Sequence, residues 1–188
     1  MTKGQQQLFD KINSLQKEVT QLQEEYWWSY INIDSWQFWV MLLMLVIPLV
    51  VLVLVLDKQK LFLLLFYGYS VHILFGYIDS FGTHNDFWSY PYFLTPFFTY
   101  SVSLDVSLVP VAFILTYQWT LNRNKNFYLY SLLLSAFLSF IFKPILVAAD
   151  LFVLFGQTNY FHLFLIYCLI FLLARLMTNF FLFLQKRR

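Results

Sequence analysis

A single cysteine, Cys168, stands in the whole chain, so no disulfide can close within it and no multi-cysteine metal site can be built. Charge is almost as scarce. Asp, Glu, Lys and Arg make up 12% of the 188 residues, about half the share usual in a soluble domain. The net charge of +2 comes without any basic array interleaved with aromatics, so no nucleic-acid partner is indicated. Three kinds of catalytic signature are also missing: the HExxH zinc pair, the GxSxG nucleophile elbow and the glycine-rich phosphate loop.

What fills the chain instead is apolar: 60% of residues are hydrophobic and 22% aromatic. Residues 36 to 56, WQFWVMLLMLVIPLVVLVLVL, carry no charge. At about 1.5 Å per residue they reach roughly 31 Å, the thickness of a hydrocarbon core. Some 35 polar and aromatic residues precede this run, with no basic start and no small-residue cleavage site, so it is expected to stay as a span rather than be removed as a signal peptide. Four more spans are predicted: Leu61 to about Asp79, about Ser101 to Leu121, Phe127 to about Phe142, and Tyr160 to about Leu184. Lys143 to Gly156 is read as the fourth helix bending at Pro144, or as an interfacial segment. The fold class is therefore all-α: a polytopic helical bundle of about five transmembrane helices over residues 36–188, preceded by an amphipathic helix over residues 1–35.

Basic residues fall in alternate loops: Lys58 and Lys60, then Arg123 and Lys125, then Lys186, Arg187 and Arg188. The positive-inside rule makes these stretches cytoplasmic, and five spans then put the N-terminus outside and the C-terminus in the cytoplasm. Lys3, Lys11 and Lys17 against Asp10, Glu18, Glu24, Glu25 and Asp34 give the first 35 residues a net of −2, which does not oppose export of a short tail. A six-span alternative requires residues 143–156 or 88–100 to cross, and it spoils the charge alternation. Trp27, Trp28, Trp36, Trp39, Trp88, Tyr90 and Tyr92 are expected to form an outer aromatic belt. In the tail, Leu8, Ile12, Leu15, Val19, Leu22 and Tyr26 repeat at spacings of 4, 3, 4, 3 and 4, an a/d stripe of about three heptads. Two readings stand: a coiled coil to a second copy or a protein partner through residues 8–26, or a helix lying on membrane lipid or on its own bundle.

The ionisable residues predicted inside or beside the spans are the candidate site. Gly68, His72 and Gly76 fall at i, i+4 and i+8 of the second helix, with Asp79 and Ser80 one turn further out. The bland alternative is a small-residue packing seam in which the imidazole bonds across to a neighbour. Under the predicted topology His72, Asp79, Asp105, Lys143, Asp150 and His162 all fall in the outer half and are expected to line one outward-facing polar pocket, with Asp105 and Lys143 paired. FWSYPYFLTP, residues 87–96, reads as a rigid aromatic cap of Trp88, Tyr90 and Tyr92, stiffened by Pro91 and Pro96. Pro110 is expected to kink the third span and free a carbonyl near Val106. Arg175 is read as snorkelling to the inner interface. His72, Asp79, His84 and Asp86 offer imidazole and carboxylate ligands for zinc or another divalent ion, without the spacing that specifies a metal. No cofactor is indicated.

The runs LDKQKLFLLLFYGYSVHILFGYID, WSYPYFLTP, LDVSLVPVAFILTYQW and FLSFIFKP together resemble an uncharacterised family of small multi-pass membrane proteins of spore-forming Gram-positive bacteria. The likeness runs from about residue 36 onward and is most specific between Trp88 and Gln118. It implies a bacterial cell-membrane protein with a link to spore biology, and it supplies no catalytic residues. Three function classes follow, in order: a non-enzymatic module that binds a partner or small ligand, a proton- or cation-coupled transporter or channel subunit using His72, Asp79 and Asp105, and a membrane enzyme acting on lipid or a small amphiphile.

Overall fold

Polar caps mark where three of the five apolar runs become helices. The computed structural model describes residues 1–31, 33–97 and 101–186; the expected basic residues Arg187 and Arg188, and the side chain of Lys186, lie outside the described residues. Helix α1 (Lys3–Tyr26) opens on a capping box, in which Thr2 Oγ1 accepts from the Gln5 backbone N–H and the Gln5 side chain accepts from the Thr2 backbone N–H at 2.8 Å. None of its residues is buried, and the heptad stripe from Leu8 to Tyr26 is exposed throughout. A single π turn, Trp27–Ile31, follows α1, and Trp27 Nε1 donates to the Phe93 carbonyl at 3.0 Å, tying the tail to the loop after α3.

Five helices are long and apolar enough to cross a membrane: α2 (Trp36–Val55), α3 (Leu61–His84), α4 (Ser103–Asn122), α5 (Phe127–Ala148) and α6 (Tyr160–Lys186). The chain is a multi-pass membrane protein. Ser35 caps α2, Asn126 caps α5 and Asn159 caps α6, each through a side-chain oxygen that accepts from backbone N–H groups of the first turn. Helix α2 is apolar all round and buries only Met41, the profile of a helix facing lipid. Helix α4 is the centre of the bundle, with 56% of its apolar window buried against 33% for α3, α5 and α6. Tyr67, Phe113, Tyr117, Phe127 and Phe171 interlock around its lower half.

The loops carrying Lys58, Lys60, Arg123 and Lys125 share one end of the bundle. Lys60 Nζ donates to Asn122 Oδ1 at 2.5 Å, and Gln118 accepts from the Asp57 N–H while donating to the Val55 carbonyl. At the other end a short antiparallel pair, β1 (Trp88–Ser89) and β2 (Val153–Leu154), aligns Trp88 with Leu154 and Ser89 with Val153. The apolar periodicity does not announce this pair. It folds the segment after α3 back over the bundle.

Two spans contain π turns, and each ends at a proline. In α4 the turn covers Ser103–Leu108, and the Val109 N–H reaches five residues back to the Leu104 carbonyl. In α5 it covers Leu138–Phe142, and the Lys143 N–H reaches back to Leu138. Pro110 and Pro144 come next and have no N–H to continue the pattern. The freed carbonyl in α4 therefore belongs to Asp105, not to Val106 as a plain α-helical count predicts. Helix α5 continues through its π turn and past Pro144 to Ala148, so the fourth span does not stop at Phe142. Arg175 also departs from the reading of a side chain reaching for the interface. Its guanidinium donates to the Tyr117 hydroxyl and stacks over the Tyr117 and Phe127 rings, 4.6 and 5.2 Å from their centroids.

Candidate functional site

The outer half of the bundle is organised around Asp79. Helix α3 turns this residue inward, level with the buried Phe75 and Gly82, whereas Gly76 and Ser80 face the other side. Asp79 Oδ1 accepts from Trp88 Nε1 at 2.9 Å and from the Tyr90 hydroxyl at 2.6 Å. Trp88 and Tyr90 are both 4% exposed, so they plug the bundle from above instead of forming an interfacial belt; Tyr92 is half-buried. The strand pair makes this possible by holding Trp88 against Leu154, and Gly82 makes room for the indole. A Cβ at Gly82 would lie 1.9 Å from Trp88 Cζ2. The Tyr90 phenol sits outside the spans and is held well above its ordinary pKa, by burial first and then by the Asp79 and Asp105 carboxylates, so it remains a proton donor to Asp79.

Asp105 and Lys143 complete the cluster. The Asp105 carboxyl, on the π turn of α4, is buried, and it interacts electrostatically with Asp79 and with Lys143. Lys143 makes no ion pair within 4.0 Å of either carboxylate. Its ammonium instead sits 3.5 Å from the centre of the Phe152 ring and 3.5 Å from the Tyr90 hydroxyl. Among the described residues Asp79 Oδ2, both Asp105 carboxyl oxygens and the Tyr167 hydroxyl have no hydrogen-bond partner. A small cavity of about 10 Å³ lies between Asp79, Lys143, Tyr167 and Trp88, room for about one water.

His72 answers the freed carbonyl. Its Nδ1 stands 2.7 Å from the Asp105 backbone oxygen, so this nitrogen carries the hydrogen and donates. The imidazole lines a surface groove between α3 and α4 with Gly76, Tyr77, Ser80 and Val106. It is thus joined to the cluster through the Asp105 backbone, while Asp79, two turns on, is buried beside Phe75 and Gly82. Gly68 leaves no space beside it, because Ile114 Cδ1 fills that position; at Gly76 nothing lies within 4 Å of an added Cβ.

Above the cluster lies a second and much larger cavity, of about 630 Å³, lined by Asn85, Asp86, Trp88, Gln157, Thr158 and His162 among others. That volume is in the usual range for small-molecule sites. Phe87, Phe155, Leu165 and Ile166 supply its apolar wall. Trp88 and Ile166 border both cavities, so the indole is the partition between the open chamber and the buried carboxyls. His162 Nδ1 accepts from the Asn159 N–H at 3.3 Å, which fixes the ring at the start of α6. Asp86 occupies a left-handed turn with φ of 53°.

The remaining sequence candidates are more dispersed. Asp150 is exposed in the left-handed turn after α5, and His84 is exposed at the end of α3. Among the described residues no group of three or more His, Cys, Asp or Glu side chains comes together as a metal site. His72, Asp79, His84 and Asp86 are spread over two faces of α3 and the turn beyond it. Trp88 and Tyr90 were legible as a cap but not as ligands of Asp79. The signal available was Gly82, one turn past the aspartate, which clears a path for a large side chain. No family model, curated protein or solved structure matches this chain.

Proposed function

We propose that this protein is a binding module of the bacterial cell membrane whose outward-facing cavity takes a small amphiphile with a hydrogen-bonding, amine-bearing head. The observation that carries the reading is the 630 Å³ cavity, whose lining joins the polar Asn85, Asp86, Gln157, Thr158 and His162 to aromatic and aliphatic side chains. Asp86 supplies the anionic group that an amine head needs, and Trp88 and Phe155 supply a surface for an apolar body. The outward sense rests on the clustering of Lys58, Lys60, Arg123 and Lys125 at the opposite end, which the positive-inside rule makes cytoplasmic. The bacterial assignment rests on the family resemblance of residues 36 onward.

A second reading, proton- or cation-coupled transport, is favoured by the buried Asp79, Asp105 and Lys143. Dansylcadaverine separates the two. Full-length protein in detergent is expected to bind this amine saturably, with energy transfer from tryptophan to the dansyl group. Asp86→Asn, which keeps a residue suited to the left-handed turn, is expected to weaken binding roughly tenfold, about 1.4 kcal/mol. Equal affinity for both proteins would remove the cavity from the account and leave the transport reading, whose own test is proton flux after a pH jump in proteoliposomes.

A further inference from the structure

Asp79, Asp105 and Lys143 are 3%, 1% and 2% exposed, and ionising all three leaves one net negative charge in apolar surroundings. An uncompensated charge is expensive in a protein interior and at membrane depth. Two neighbouring buried carboxylates also resist being ionised together, and the recurrent solution is a pair that shares one proton. The hydrogen-bond geometry points the same way. Asp79 Oδ1 already accepts two donors, whereas Asp79 Oδ2 and both oxygens of Asp105 have none among the described residues. One proton resolves most of this: an Asp105 hydroxyl donates to Asp79 Oδ2, and the cluster becomes neutral with Lys143 charged.

We infer that Asp79 and Asp105 hold one exchangeable proton as a carboxylic acid and carboxylate pair, with Lys143 as the counter-charge. The proton sits on Asp105 because the Trp88 and Tyr90 donors favour the ionised form at Asp79. Among the described residues the segment after α3 contributes Trp88, Tyr90 and the Ser101 backbone N–H, α4 contributes Asp105, α5 contributes Lys143 and α6 contributes the Tyr167 hydroxyl, whose electrostatic partners are the same two carboxyls. His72 reaches only the backbone carbonyl of Asp105. No further cation is supplied from these sides. Release of the proton to water leaves Asp79 and Asp105 both charged against Lys143, so the site stores one unit of charge directly beneath Trp88. This holds whether or not the outer cavity takes an amphiphile.

Infrared absorption of the full-length protein at neutral pH reads the proton directly, since the exposed carboxylates are ionised there and a protonated carboxyl has its own C=O stretch. Wild type is expected to show one carboxylic acid equivalent, shifted in heavy water. Asp105→Asn and Asp79→Asn, both near-isosteric, are each expected to abolish it, because a lone carboxylate balances Lys143. In Lys143→Met the band is expected to double, as both carboxyls must then be neutral. Absence of the band in wild type overturns the inference without any variant. So does a band that survives both Asn substitutions, or one that Lys143→Met leaves unchanged.

Discussion

Lys143→Met is expected to lower stability by roughly 3 to 5 kcal/mol, the range seen when one member of a buried charged cluster is removed. Methionine keeps the length of the stem and its packing on Phe152, so the loss isolates the charge. Without it the Asp79 carboxyl, 3% exposed, has no counter-charge and must take up a proton at neutral pH, at the expense of its hydrogen bonds from Trp88 and Tyr90. Adding Asp79→Asn to Lys143→Met removes the group that has to be protonated, and the double variant is expected to recover most of the stability. The pair is thus strongly non-additive, as residues in one network are. Thermal unfolding of the four proteins in one detergent measures it. Simple additivity of the two changes would mean that Lys143 and Asp79 do not share a site.

Gly82→Ala is expected to be nearly as damaging, through an unrelated cause. An alanine Cβ would stand 1.9, 2.3 and 2.4 Å from three atoms of the Trp88 ring. The indole has little freedom to retreat, because its backbone is paired with Leu154 and its Nε1 is bonded to Asp79. Overpacking of this kind costs about 1 to 3 kcal/mol, and losing a hydrogen bond to a charged group costs about 1.5 to 3 more. Displacing Trp88 also opens the partition between the two cavities, so binding of an amphiphile should change with stability. Gly76→Ala is the matched control. Nothing lies within 4 Å of its added Cβ, and the gain in helix propensity makes it neutral or stabilising by about 0.5 to 1 kcal/mol. Equal effects at both glycines would show that Trp88 does not occupy the place assigned to it.

The class of the molecule and its five spans were legible because hydrophobic length is a local property; α2 alone, without one charge over Trp36–Val55, requires a bilayer. Pro110 announced a freed carbonyl, yet the count missed by one residue, since a π turn changes the partner from i+4 to i+5 and leaves no trace in hydrophobic periodicity. The depth of that stripe on α3 was harder. Gly68, His72, Gly76 and Asp79 follow one another at helical spacing, but spacing does not say that Asp79 is buried with Phe75 and Gly82 while His72 stays half-buried on a groove. Trp88 and Tyr90 were illegible as donors because tryptophan and tyrosine near the end of a span are by default interfacial. Only the pairing of β1 with β2, a contact between segments 65 residues apart, folds them inward.

The account stands or falls on an outward-facing cavity that a ligand can fill, and Gln157 lies on its wall. The direct measurement places one cysteine there, Gln157→Cys, in a Cys168→Ser background, and labels intact cells with a membrane-impermeant maleimide in the presence and absence of dansylcadaverine. The predicted result is rapid labelling from outside, slowed by the amine in a saturable manner. Labelling that appears only after the cells are permeabilised would invert the topology, and labelling that the amine leaves unchanged would contradict the binding site.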